Sequence, residues 1–336
     1  MKKTIVSVFA SIVLLAVLSG CGEKSQEDVL RALDEKMEKM TSYQTHATMT
    51  LENGEEPQTY HVEIWHQKPR YYRVKLENEN KEQSQIILRN DDGVFVLTPA
   101  LNKSFRFTSD WPENNSQIYL YQSLINDILN DNERTFAVNE NEYVFTTKTN
   151  YQNKNLYQQE ITLSKKDLSP KLVKVMDQDM NVLVTAEFSD TKFDVDFDDH
   201  AFDMDRNMTS AKLEIPTMAS DEQEFDVLYP LYTPQGTNLS EEKEVTRNGE
   251  KQVVMTFTGD QPFTLIQEKA DVAREASAPV HFAEGEPVDL GFTVGVMTDD
   301  SITWTYNGVD FFLAAKEMDQ EEMMAVARSV QGATIK

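Results

Sequence analysis

The chain begins Lys2-Lys3 and then runs apolar from Ile5 to Leu18. A basic start, an apolar stretch and small residues before a cut form the layout of an export leader. A run of about 14 apolar residues is short for a bilayer span, which needs about 20. Gly22 to Lys24 reads as a polar tether. Ser25-Gln26-Glu27-Asp28 reads as a capping box, followed by Val29, Leu30, Leu33, Met37 and Met40 at helical spacing to about Thr41.

From Tyr43 the period switches to two. Tyr43, Thr45, Ala47, Met49 and Leu51 alternate with polar neighbours, and Asn53-Gly54 opens a turn. Further strands are predicted at Tyr60 to Ile64, Tyr72 to Leu76, Ile86 to Leu88, Val94 to Leu97 and Lys103 to Phe107, as an antiparallel meander of sequence neighbours. Asn90-Asp91-Asp92-Gly93 supplies one hairpin turn. Gln117 to Leu129 interrupts the strands as a predicted helix, with an apolar face broader than one core-facing stripe. Strands resume at Glu142 to Thr147, Gln159 to Leu163, Lys171 to Met176 and Val182 to Phe188, and the tract closes at Phe197 to Phe202.

Pro216 to Glu224 is polar, acidic and aperiodic, and reads as a linker. Beyond it Val253 to Phe257, Phe263 to Ile266, Ile302 to Tyr306 and Phe311 to Leu313 are predicted strands. Asn307-Gly308 marks a tight hairpin, and Asp319 with Glu322 caps a last helix to Val330. The expected layout is a leader over 1–20, a tether over 21–24, a mainly β domain over 25–215, a linker over 216–224 and a small α+β domain over 225–336.

Composition narrows the partners. The 336 residues carry a formal charge of -25, and losing Lys2 and Lys3 with the leader makes the chain more acidic still. Such a surface repels nucleic acid and anionic headgroups. The one cysteine, Cys21, allows no intramolecular disulfide, so packing must stabilise the fold. Catalytic chemistry is thin. His61 and His66 fall on opposite faces of one predicted strand and cannot share a metal. No Gly-x-Ser-x-Gly elbow or phosphate-cradling glycine loop is present. Asp194-x-Asp196-x-Asp198 has the start of a calcium-loop spacing. Its sixth place is Asp199 rather than glycine and its twelfth is Asp205 rather than glutamate, so a solvated strand face is expected there. No enzyme, metal or cofactor is expected.

Leu18-Ser19-Gly20-Cys21 resembles the lipobox of bacterial lipoproteins. The resemblance implies a diacylglycerol on Cys21 and an extracytoplasmic protein held on the cell membrane by lipid. Acyl anchoring gains roughly 0.8 kcal/mol per buried methylene, and a diacylglycerol supplies two chains.

Three further motifs resemble the LolA family of periplasmic lipoprotein carriers. Trp65-His66-Gln67-Lys68-Pro69-Arg70-Tyr71-Tyr72-Arg73-Val74 is similar to its Arg-Pro strand pair, with Lys68 where the family has arginine. Asp92 to Lys103 is similar to its Asp-Gly hairpin, and Phe197 to Phe202 to its closing strand. Ile302 to Phe311 and Glu322 to Val330 resemble a small domain of exported Gram-positive proteins. The whole layout resembles sporulation-associated LolA/RseB-like lipoproteins of endospore-forming bacteria, of YdcC type.

The resemblance implies a curved, unclosed antiparallel barrel with covering helices, and a lid helix at Gln117 to Leu129 over an apolar cavity. The expected lining is Trp65, Tyr72, Phe95, Leu97, Phe105, Phe107, Trp111, Tyr121, Leu124 and Ile128. The expected role is envelope binding or scaffolding around sporulation or germination, with an acyl chain or a hydrophobic segment of another envelope protein as partner. An RseB-like sensor acting on a membrane partner, or a lipid carrier, is the alternative.

Overall fold

A computed structural model describes residues 24–52, 57–79, 83–113, 116–151, 153, 155–214, 225–247, 250–271 and 280–330. Cys21, the Asn53-Gly54 turn and the expected linker at 216–224 lie outside the described residues. The chain divides into two compact units, Met1–Lys39 and Met40–Lys336.

The first unit is described by one helix, α1 (Gln26–Lys39). The capping box closes both ways: Asp28 N–H donates to Ser25 Oγ at 3.2 Å, and Ser25 N–H donates to the Asp28 carboxylate at 3.4 Å. Val29 and Leu33 are buried.

The second unit holds the strands. They are β1 (Ser42–Leu51), β2 (Gln58–Gln67), β3 (Tyr71–Asn78), β4 (Ser84–Asn90), β5 (Gly93–Thr98), β6 (Lys103–Phe107), β7 (Thr135–Val138), β8 (Glu142–Lys148), β9 (Gln158–Ser164), β10 (Pro170–Met176) and β11 (Val182–Phe193). After the expected linker follow β12 (Asn238–Arg247), β13 (Glu250–Thr258), β14 (Phe263–Lys269), β15 (Val280–Phe282), β16 (Glu286–Asp289), β17 (Val294–Met297), β18 (Ser301–Tyr306) and β19 (Val309–Ala314). Helices α2 (Tyr121–Asn130), α3 (Met204–Glu214) and α4 (Gln320–Ser329) complete it.

Twelve strands form the first sheet in the order β15-β6-β5-β4-β3-β2-β1-β11-β10-β9-β8-β7. The sheet is curved and unclosed, with β15 and β7 at its edges. It is not one meander but two, joined where β1 pairs with β11, from Tyr43↔Phe193 to Leu51↔Val184. β15 pairs with β6 in parallel, so a segment beyond the expected linker completes the first sheet. The seven remaining strands form the second sheet in the order β12-β13-β14-β19-β18-β17-β16. Its Asn307-Gly308 hairpin turn has φ of 49° and 71°, values that asparagine and glycine tolerate. Asp319 caps α4 by accepting from Glu322 N–H at 2.8 Å.

Three elements differ from the sequence reading. α2 starts at Tyr121, because Gln117 to Leu120 makes a turn in which Leu120 N–H donates to Gln117 C=O at 3.2 Å. Phe197 to Phe202 is not a strand. Asp198 folds it into a turn by accepting from His200 N–H on its side chain and Ala201 N–H on its carbonyl, at 2.9 and 3.0 Å. The strand reading of the aspartate run fails earlier in the chain: β11 ends at Phe193, and Asp194, at φ 53°, accepts from Thr41 N–H at 2.9 Å.

Candidate functional site

Residues paired across a ladder share one face of a sheet, and neighbours along a strand alternate. The first sheet therefore sorts the expected cavity lining into two groups. Trp65 pairs with Arg73, Arg73 with Leu88, Leu88 with Phe95, and Ile86 with Leu97. Tyr72 lies on the other face, as do Phe105 and Phe107, which pair with Val96 and Val94. Trp65, Phe95 and Leu97 thus do not share a cavity with Tyr72, Phe105 and Phe107.

The first face is covered by α3 and the turn before it. Ile86, Leu88, Phe95 and Leu97 pack against Ala201, Phe202, Met208 and Ala211. Arg73 straps the cover down. Its guanidinium lies 4.2 Å over the Trp65 ring, its Nε–H donates to Asn207 Oδ1 at 2.6 Å, and its Nη1–H donates to Glu63 at 2.6 Å. Neither α3 nor the role of Arg73 was expected. Met204, Met208 and Ala211 at helical spacing, after Asp203 and with Lys212 near the end, are the signal that marks the helix.

The second face carries α2. Tyr121, Leu124, Ile125 and Ile128 are fully buried there. Beside them runs a column of rings: Tyr121 to Tyr43 at 6.0 Å, Tyr43 to His66 at 5.5 Å, His66 to Tyr72 at 4.3 Å and Tyr72 to Trp111 at 5.9 Å. Tyr121 O–H donates to Leu168 C=O at 3.0 Å, and His66 Nδ1–H donates to Tyr71 C=O at 3.0 Å. Burial pushes the His66 imidazole down to about 4 and holds the Tyr72 and Tyr121 hydroxyls above their usual range. The expected lid helix is thus packed on side chains: Tyr72, Trp111, Tyr121, Leu124 and Ile128 fill the space.

Further along this face lies an open cleft of about 520 Å³ between the two sheets. Val96, Phe105 and Phe107 form one wall, and Val296, Ile266 and Phe312 belong to the other. Two polar pegs hold the walls at a fixed distance. Lys103 pairs with Asp310 at 2.8 Å, and Gln85 Oε1 accepts from Val294 N–H at 2.8 Å and Thr293 O–H at 3.0 Å. Phe282 of β15 also lines the cleft and is 76% exposed; Phe312 is 39% exposed. Of the ten expected lining residues, Phe105 and Phe107 reach this cleft. Its second wall went unrecognised in the sequence.

No group of three His, Cys, Asp or Glu among the described residues is placed to hold a metal ion. No helix among them is long and apolar enough to cross a membrane.

Among solved structures the chain is similar to the Pseudomonas aeruginosa MucA/MucB complex structure, with 15% identity over 89% of this chain and 96% of that one at a TM-score of 0.31. It is also similar to a LolA superfamily protein from Nitrosomonas europaea, with 13% identity over 55% of this chain and 100% of that one at a TM-score of 0.31. The sporulation protein YdcC of Bacillus subtilis (strain 168) is 50% identical over 336 residues, which is 100% of this chain and 99% of that protein. A family model described as sporulation protein YdcC-like matches residues 1–202. With that match, and half its residues shared along its full length, the chain belongs to the YdcC-like family of sporulation proteins.

Proposed function

We propose that this is a lipid-anchored, extracytoplasmic binding protein that holds an apolar segment of an envelope protein in the cleft between its two sheets during sporulation. The observation that carries the reading is the pairing of a pegged cleft of about 520 Å³ with Phe282 and Phe312 exposed beside it. An apolar patch left on a soluble domain is a liability unless something covers it. Cys21, through its lipid, keeps the cleft at the membrane surface, where apolar segments of envelope proteins are found. The strong negative charge disfavours adsorption to anionic headgroups, so the lipid and not the surface does the anchoring. The role is binding rather than catalysis.

A photo-crosslinking residue in place of Phe282, introduced in sporulating cells, tests the reading. A discrete protein adduct is expected. It should disappear, and sporulation should fall, when Phe312→Glu is added, while the thermal melt of the purified domain stays unchanged. Lipid adducts alone would support the carrier alternative. Normal sporulation with Phe282→Glu and Phe312→Glu together would remove the cleft from consideration. Cys21→Ala should release the protein from membranes; retention after a high-salt and carbonate wash would refute the anchor.

A further inference from the structure

The second unit contains another cavity, sharing no residue with the cleft. It measures about 140 Å³ and lies where the ends of β1 and β11 meet the 116–118 turn and the loop after β16. One side of it is aliphatic, with Met49, Leu51, Ile118, Leu156, Leu183 and Leu290, and the rest is polar, including Arg328, whose Nη2–H donates to Asp289 C=O at 2.8 Å. A space near 150 Å³ takes a benzene-sized guest.

The polar groups around it are mostly spent on one another. Ser116 O–H and Gln159 Nε2–H donate to Asp127, each at 2.7 Å, and Tyr151 O–H donates to Gln159 Oε1 at 2.6 Å. Asp289 accepts from Gly291 N–H at 2.7 Å. Gln117 is the exception. It is 5% exposed and lines the cavity. One end of its amide meets the Tyr119 hydroxyl at 3.2 Å, a hydroxyl that also bonds the Asp289 carboxylate, and the other end meets no partner among the described residues. An amide end left unpaired at the wall of a cavity gains a hydrogen bond from a guest that carries a matching polar group.

We infer that this cavity is a small-molecule site, separate from the cleft, for a compact aromatic or branched apolar group bearing one hydroxyl or amide. The aliphatic side takes the apolar body, and the amide of Gln117 takes the polar group. Benzyl alcohol and toluene are the probes, since they match in size and differ in the one polar atom that the site reads.

Titration of both probes into the full mature chain, followed by ligand-observed NMR and by the ligand-induced rise in melting temperature, tests the inference. Benzyl alcohol should bind saturably and more tightly than toluene. Gln117→Leu should weaken benzyl alcohol about tenfold, as expected for one lost hydrogen bond, and leave toluene unchanged or tighter. Leu156→Trp or Leu290→Trp should fill the space and abolish both; whichever variant keeps the parent circular dichroism spectrum serves. Absence of saturable binding by the parent would overturn the inference. So would equal affinity for the two probes, or binding that Gln117→Leu and the filled variant leave intact.

Discussion

Two apolar regions lie on the same face of the first sheet and end differently. Under α2 the side chains close on themselves, with Leu124, Ile125 and Ile128 fully buried beside the ring column from Tyr121 to Trp111. In the cleft the walls come from two sheets, and the Lys103–Asp310 and Gln85–Val294 pegs keep them apart. A rigid sheet cannot collapse onto another that is pegged away from it, whereas a ten-residue helix can settle until its side chains interdigitate. The number of apolar residues on an element therefore says little about whether it covers a cavity. What matters is whether polar contacts hold the opposing wall at a distance.

The comparison can be broken most directly at α2. Leu124→Glu places an unpaired charge in a fully buried position and should destabilise by about 4 kcal/mol or more, enough to unfold the domain. Circular dichroism and a thermal melt would read this. A melt close to the parent's would mean that the helix hides room for a guest.

Acid should open the same region before the cleft. His66 is held neutral by burial and titrates at about 4 in the fold, against 6.5 when unfolded. Between those values the unfolded chain binds the extra proton, so stability falls as pH drops through 6.5 and levels off below about 4. The loss is about 3 kcal/mol over the window. Denaturant midpoints measured across it should fall for the parent and fall less for His66→Phe.

On the opposite face, Asn207→Ala removes the acceptor of the Arg73 Nε–H and should cost about 2 kcal/mol, because the arginine is buried. Faster amide exchange in α3 than in α2 would localise the effect. A uniform change would mean that α3 is not held by this strap.

The smallest effect is expected at the cleft. Phe282→Ala should alter stability by less than about 0.5 kcal/mol, since the ring is largely exposed. A larger loss would make Phe282 a packing residue and close the contrast between the two regions.

Most strands were legible because their alternation is local: β6 runs Lys103–Phe107 as read, β1 and β8 differ by a residue at one end, and β9 by a residue at each end. The caps at Ser25 and Asp319 were legible because a capping box lies within four residues. Parity across turns was not. Trp65 and Tyr72 came out on opposite faces because the turn at 68–70 sets the register Trp65↔Arg73. The Phe197 to Phe202 segment misled because its flanking aromatics mimic strand residues, while Asp198 sets the local backbone. The second wall of the cleft comes from β14, β17 and β19, and β15 crosses back to β6. Pairing at such distance leaves no trace in local periodicity.

The position of β1 has a consequence for the order of assembly. It emerges first among the strands yet sits in the middle of the sheet, with β2 on one side and β11 on the other. Its second partner follows roughly 140 residues later, a delay of roughly 10–30 s at ordinary rates of synthesis. Through that interval one edge of a ten-residue strand stands open, and non-local pairing of this kind is slow to form. The nascent chain therefore passes through a stage in which β1 can recruit any extended segment within reach, including β1 of another copy.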